Sequence, residues 1–364
     1  MTSVLDAFVI KPSSYISGLC YSVFRVEPYS SCGFGCLYCY ARWYRSGGGV
    51  EPQWRVVAAW RRLARAVARL PASFFFRLAT LSEPFQGAER LYYASLDVLR
   101  TALRLRVPLV VNTKSLLVTM EPWVGVLEAL AGMGLVVVQV SIGFPDKYSV
   151  VVEPGAPPAS SRLRVVEELS RRGIPVVVRV QPLVPGLEEE QVGLAEEAVV
   201  RGAVGVIGES LRCTRSDLGL LRRLLPLDES VEWVDYQLGR APGREGLLHP
   251  AREWRRWIHG ELRGVVESYG AVYTACKEGV APPPGVDCCQ ASIHLRVPVA
   301  LRPTLYELAR LGVDDPIEAC RRLGAPYTCS IHHRGLFRRW LRMHEGMLRR
   351  LAGRSGAARR LLLL

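Results

Sequence analysis

Six short apolar runs punctuate the first two-thirds of the chain: Ser22–Val26, Phe74–Leu81, Pro108–Thr113, Leu135–Ile142, Pro175–Pro182 and Ala203–Gly208. Most are near-continuously hydrophobic and rich in β-branched residues, which predicts strands buried on both faces. Between them lie helical stretches at Trp54–Leu70, Glu89–Leu105, Pro122–Ala131, Ser161–Arg172 and Glu188–Arg201, the last two stopping at Gly173 and Gly202. Six strand-then-helix units predict an α/β protein with a parallel sheet, and periodicity leaves an open sheet and a curved partial barrel equally admissible.

The pattern changes after about residue 225, which suggests two domains, 1–225 and 226–364. The second part begins with a Gly/Pro/Arg linker over Arg240–Glu245. A helix over Arg252–Tyr269 and a cysteine-bearing loop stiffened by Pro282, Pro283 and Pro284 come next, then helices near Pro303–Leu311, Pro316–Leu323 and Arg334–Leu351. This reads as a mainly helical C-terminal extension. Hydrophobic residues at 49% and charged residues at 22% exclude a disordered or fibrous chain. No uninterrupted apolar run reaches the roughly 18 residues of a membrane span. With no basic start followed by an apolar leader, the expectation is a cytoplasmic protein without membrane association. Of the net charge of +13, +8 lies in residues 334–364, where nine Arg face one acidic residue. Such a localised excess suits either a polyanion-binding appendage or a solvated helix face. The scarcity of Asn, with Asn112 alone, and the abundance of Arg fit a thermophilic source.

Ten cysteines in an intracellular chain point to metal binding or catalysis before disulfides. Three stand directly after the first strand, as Cys32-x3-Cys36-x2-Cys39. Three thiolates on one short loop can wrap a soft-metal centre, with Gly33 and Gly35 letting the backbone bend around it. Iron–sulfur cubanes take four cysteines, so a set of three leaves one iron open to a non-protein ligand; a zinc site completed by a distant ligand is the alternative. A second group, Cys276, Cys288, Cys289, Cys320 and Cys329 with His294, His332 and His333 nearby, fits no common zinc spacing. Its best ligands are Cys276, Cys288 and Cys329, for zinc or an auxiliary iron–sulfur cluster, with disulfides as the other reading.

The triplet, with Tyr38 just before its third cysteine, resembles the signature of the radical S-adenosylmethionine (radical SAM) enzymes. The resemblance implies a partial (β/α)6 barrel and a 4Fe–4S cluster on Cys32, Cys36 and Cys39. It further implies that S-adenosylmethionine chelates the fourth iron and is cleaved reductively to a 5′-deoxyadenosyl radical that abstracts hydrogen from a substrate. A narrower resemblance is to the spore photoproduct lyase-like branch. It is carried in order by Cys36–Arg42, Leu81-Ser82-Glu83-Pro84-Phe85-Gln86 with Glu89, Asn112-Thr113-Lys114-Ser115, Val140-Ser141-Ile142, Glu153-Pro154-Gly155-Ala156-Pro157 with Arg162, and Gln181–Leu187.

These elements fall at the C-terminal ends of the expected strands, the rim where β/α barrels carry their sites. Ser82 and Glu83 would meet the cofactor's ammonium, Lys114 its carboxylate and Ser141 a ribose hydroxyl, with Glu153 joining them. Tyr38, Tyr40 and Cys213 are the candidates for catalytic roles, with a buried structural cysteine as the other reading of Cys213. The chain departs from true lyases at Arg77–Ser82, which holds no cysteine; Thr80 stands near the place of their hydrogen-donating thiol, so dimer repair by that route is not implied. The resulting expectation is a radical SAM enzyme served by an electron donor such as ferredoxin or flavodoxin and acting on an unidentified substrate. The basic tail and the Arg-rich first helix suggest DNA or RNA. The competing expectation is a nucleic-acid-binding metalloprotein with structural zinc or iron–sulfur sites.

Overall fold

The computed structural model describes residues 4–44, 48–240, 246–353 and 361–362. Six strands form where expected: β1 (Arg25–Val26), β2 (Phe76–Leu78), β3 (Leu109–Thr113), β4 (Val136–Ser141), β5 (Val176–Leu183) and β6 (Gly205–Ser210). Each pairs in parallel with the next. Helices Trp54–Val67, Ala94–Leu105, Trp123–Gly132, Ala159–Arg171 and Glu188–Val200 make the crossovers. The near-continuous apolar runs have a direct cause. Alternate side chains of the strands feed two different cores. Leu109, Val111, Val136, Val138, Val176 and Val178 pack toward the helices, and Val110, Val137, Val177 and Ile207 pack into the opposite, lumenal face.

After β6 the chain forms an antiparallel pair, β7 (Trp233–Arg240) and β8 (Gly246–Pro250). Helix Arg252–Ser268 then leads to β9 (Val272–Ala275), which adds to β6 as a seventh parallel strand. The sheet order is β1-β2-β3-β4-β5-β6-β9, and β1 and β9 remain its two edges, so the partial barrel is not closed. The boundary expected at residue 225 therefore does not coincide with the edge of the sheet, because the last strand comes from the C-terminal part. Glycine at 205 is what lets β9's neighbourhood approach β6: a Cβ there would lie 1.9 Å from Gln290 Oε1.

The chain termini fill the lumenal face. Leu19 and Tyr21 join Leu305, Tyr306, Leu308, Leu348 and Leu351 against it. Arg302, almost fully buried, ties these parts together by donating from Nη2 to the carbonyls of Ile16 (2.7 Å), Ser17 (2.7 Å) and Cys20 (2.6 Å) at the end of helix Ser14–Leu19. The Ile16 carbonyl also accepts from Cys20 N–H (3.1 Å), and the guanidinium gives the carbonyls at this helix end a further donor. The final helix, Gly335–Ala352, buries Phe337, Trp340, Leu341, Leu348 and Leu351. Phe337 stacks on Phe74 (5.4 Å between rings) and meets Phe24 edge-on (6.0 Å), which places the start of this helix beside the N-terminal ends of β1 and β2.

The helix expected over Glu89–Leu105 divides at Tyr93, whose φ of 53° is left-handed. The Glu89 carboxylate turns back to accept from the backbone N–H of Ser95 (2.9 Å) and Leu96 (2.8 Å), starting the second segment as an anionic cap. Of the linker expected over Arg240–Glu245, Arg240 ends β7, and the rest, with Arg354, Arg359 and Arg360 of the tail, lies outside the described residues. Among the described residues no helix is long and apolar enough to cross a membrane.

Candidate active site at the cysteine loop

Cys32, Cys36 and Cys39 follow β1 on a loop that leaves all three partly exposed. The loop is held from two sides. On one, the Gln86 side chain accepts from Gly33 N–H (2.7 Å) and donates to the Ser31 carbonyl (2.9 Å). On the other, Leu37 N–H donates to the Val152 carbonyl and the Phe34 carbonyl accepts from Gly155 N–H, both at 2.9 Å. The approach at Gly155 is so close that a Cβ would sit 2.7 Å from the Gly33 carbonyl oxygen. Gly35 takes a φ of 61°, a conformation glycine adopts without steric cost.

Beneath the loop lies Glu153, fully buried. Its carboxylate accepts from the Tyr38 hydroxyl and pairs with the fully buried Arg162, while Lys114 Nζ stands 3.6 Å away. Arg162 also donates to the Ser141 carbonyl (2.8 Å), so the residue that ends β4 is fixed by the same cation. Burial alone would raise the Glu153 carboxyl, but Lys114 and Arg162 outweigh it and hold the group below its ordinary range. Lys114 Nζ is also 5.8 Å from the centre of the Tyr38 ring. Burial pushes the Cys36 thiol up to about 12; Lys114 opposes the rise, and Glu153, Cys39 and Cys32 add to it. A metal must displace the Cys36 proton to bind there.

The expected cofactor-binding positions share this rim but not one role. Glu83 is buried and already accepts from Thr113 Oγ1 (2.6 Å), Lys114 N–H (2.8 Å) and Phe85 N–H (3.1 Å). It locks the β2 loop to the end of β3 and is a positioning residue. Ser82 donates to Glu27 Oε2 (2.9 Å). Glu27, which the sequence analysis passed over, also accepts from Thr80 N–H (2.5 Å), Thr80 Oγ1 (2.7 Å) and Leu81 N–H (2.9 Å). Its signal was its place: the acidic residue that follows the first strand and precedes the cysteine loop. Ser141 and Lys114 remain partly exposed and lie on either side of Glu153's network.

Tyr40 donates to the Thr80 carbonyl (2.7 Å), and Lys277 Nζ lies 5.6 Å from its ring. Lys277 in turn pairs with the buried Glu209 (2.9 Å), which also binds Arg212 and Gln181 and faces Arg179 at 3.5 Å. Burial raises the Glu209 carboxyl, yet Lys277, Arg212 and Arg179 together lower it to about 2. These charges form the rim on the β6–β9 side. Cys213, the other catalytic candidate, is buried and packs with Phe144, Leu187, Leu218 and Leu248, as a structural cysteine does.

The second cysteine group proves to be two groups. Cys276 and Cys288 do not join Cys329. Cys288 instead neighbours Cys20, Cys276 and Cys289, and all four are buried. Arg77 and Arg179 flank this set, and among the described residues no carboxylate lies within ion-pair distance of Arg77. Cys20 was invisible as a member because it stands 256 residues from Cys276 and belongs to no local motif. Cys329 instead meets Cys320 and His332.

A cleft of about 440 Å³ opens beside the loop, between Phe34, Gln86, Ser115, Leu116, Pro154 and Ala156. Its walls come from the loop, the β2 and β3 ends and the segment after Glu153, four elements distant in sequence. Residues 26–198, which contain all of them, match the family model described as the Radical SAM superfamily. Over that segment, a little under half of its length, the chain is similar to the radical SAM superfamily. Its fold is spore photoproduct lyase-like. A lyase variant with bound S-adenosylmethionine and dinucleoside spore photoproduct superposes with a TM-score of 0.53 at 18% identity, over 69% of this chain and 76% of that one. A second variant, with the dinucleoside spore photoproduct, gives 0.51 at 18% identity over the same shares. An uncharacterized protein of Acidianus two-tailed virus is 26% identical over 230 residues, 57% of this chain and 74% of the viral one.

Two outcomes follow from the charge arrangement. Glu153→Gln leaves the buried Arg162 and the partly exposed Lys114 without their counter-charge, so thermal or denaturant unfolding should show a loss of about 3–5 kcal/mol; an unchanged midpoint would show that the carboxylate does not hold the site. Glu209, with its carboxyl lowered from 4.5 to about 2, contributes stability that is complete above about pH 4.5 and lost as pH falls through 2. Acid unfolding should therefore flatten across that window in Glu209→Gln relative to the parent chain.

Proposed function

We propose that this chain is a radical SAM enzyme in which Cys32, Cys36 and Cys39 hold a 4Fe–4S cluster and the adjoining cleft receives S-adenosylmethionine. The observation that carries the reading is the donor set itself: three partly exposed thiols on one loop, braced by Gln86 and Gly155, beside a cleft walled by the same elements. Three thiolates suit a cubane with one iron left for the cofactor's amino and carboxylate groups. When bound, the pair supplies a one-electron cleavage that releases a carbon radical for hydrogen abstraction.

The chain's own residues do the positioning. Glu153 with Tyr38 and Arg162 fixes the underside of the loop. Lys114 brings a positive charge to the thiolates, which lowers the cost of gathering anionic sulfur in a half-buried site. Glu83 and Glu27 hold the β2 loop, whose Phe85 and Gln86 wall the cleft. Tyr40, held by Thr80 and Lys277, closes the lumenal side. A small protein such as a ferredoxin or flavodoxin would supply the electron.

As substrate we propose a nucleic acid, supported by the exposed Arg338 and Arg342 of the last helix, while Arg339 and Arg349 are taken up by Asp6 and Asp315. Because that helix begins beside the N-terminal ends of β1 and β2, away from the cysteine loop, it serves to retain the polymer and does not line the reacting site.

Anaerobic reconstitution followed by reduction with S-adenosylmethionine should yield 5′-deoxyadenosine, and Cys32→Ala, Cys36→Ala or Cys39→Ala should each abolish it. Product formation undiminished in any one of them would refute the assignment. For the substrate class, affinity for DNA or RNA should fall steeply with salt, and Arg338→Ala with Arg342→Ala should lower the salt slope by about 2. A chain that binds neither polymer at low ionic strength would rule out the nucleic-acid reading.

A further inference from the structure

The last turn of helix Pro316–Leu323 carries Cys320, and the short turn that follows carries Cys329 and His332. Both sulfurs lie 3.9 Å from the same ring nitrogen, His332 Nδ1. All three donor atoms fall within 4.8 Å of one another, and among the described residues no other group of three His, Cys, Asp or Glu does so. The two thiols are not bonded to each other. Tetrahedral zinc, with bonds of about 2.3 Å to sulfur and about 2.0–2.1 Å to nitrogen, sets sulfur and nitrogen about 3.6 Å apart. The two sulfur–nitrogen separations therefore need to contract by only a few tenths of an ångström.

The surroundings are organised for it. Glu345, from the last helix, accepts from both the backbone N–H and the hydroxyl of Ser330 at 2.6 Å, which fixes the turn between the two ligands Cys329 and His332. Cys320 and Cys329 are buried and His332 is exposed, so a fourth position faces solvent. Ligand softness selects the metal class: two thiolates and an imidazole favour zinc over magnesium or calcium.

We propose that Cys320, Cys329 and His332 form a zinc site, with water in the fourth position, that clips helix Pro316–Leu323 to the turn preceding the C-terminal helix. This site is separate from the cysteine loop and from the lumenal thiols around Cys288, and it holds whether or not the cysteine loop carries an iron–sulfur cluster.

The test is metal content on the full-length chain, reconstituted with zinc and with the cysteine loop already loaded with iron and sulfide. Cys329→Ser and His332→Ala should each lose about one equivalent of zinc and keep their iron, while Cys288→Ser should keep that zinc. Should a variant fail to fold, cobalt added to the parent chain reads the same site, with thiolate-to-cobalt charge-transfer bands and the intense visible absorption of a tetrahedral ion. Zinc content unchanged in Cys329→Ser would overturn the proposal. So would a thiol count two short in the parent chain, with Cys320 and Cys329 recovered as one disulfide-linked peptide pair.

Discussion

A carboxylate with no access to water holds this site together. Glu153 meets Tyr38 from the cysteine loop, Arg162 from the crossover helix and Lys114 from the end of β3. A buried anion is tolerable only if its counter-charges are well placed. Three separate elements must therefore arrive in register for the chain to fold, and that requirement also sets the cysteines over Lys114. Gly155, two residues on, then lets the loop lie directly on the backbone. Site geometry and fold stability are thus parts of one constraint.

A second set of buried charges does the same on the far side of the rim. Glu209 and Glu278 share Arg212, with Lys277 on Glu209 and Arg255 on Glu278. Glu278 also accepts from Ser210 N–H at 3.0 Å, joining the end of β6 to the loop after β9. The seventh strand is held by this network as well as by its ladder, and the C-terminal part is accordingly integral to the sheet.

Much of this was legible from the residues. The apolar runs marked six strands because their alternate side chains serve two cores, and the cysteine spacing, Lys114 and the Glu153–Pro157 segment stood out as local motifs. What escaped was non-local. β9 is four residues long, and helix Ser14–Leu19 is stabilised by Arg302 from the other end of the chain. Glu27 and Cys20 carry no motif, and spacing could not reveal that Cys276 and Cys329 belong to different groups. Glu83 resembled a cofactor ligand in sequence because its position is right, but its oxygens are directed at Thr113 and the neighbouring backbone.

The central claim is that three cysteines leave one iron open for the cofactor. Electron–nuclear double resonance on the reduced, reconstituted protein tests it most directly, using S-adenosylmethionine labelled with nitrogen-15 at the amino group and oxygen-17 at the carboxylate. Hyperfine coupling of both labels to the cluster is the result this account predicts. A cluster signal that shows coupling to neither label at saturating cofactor would contradict it.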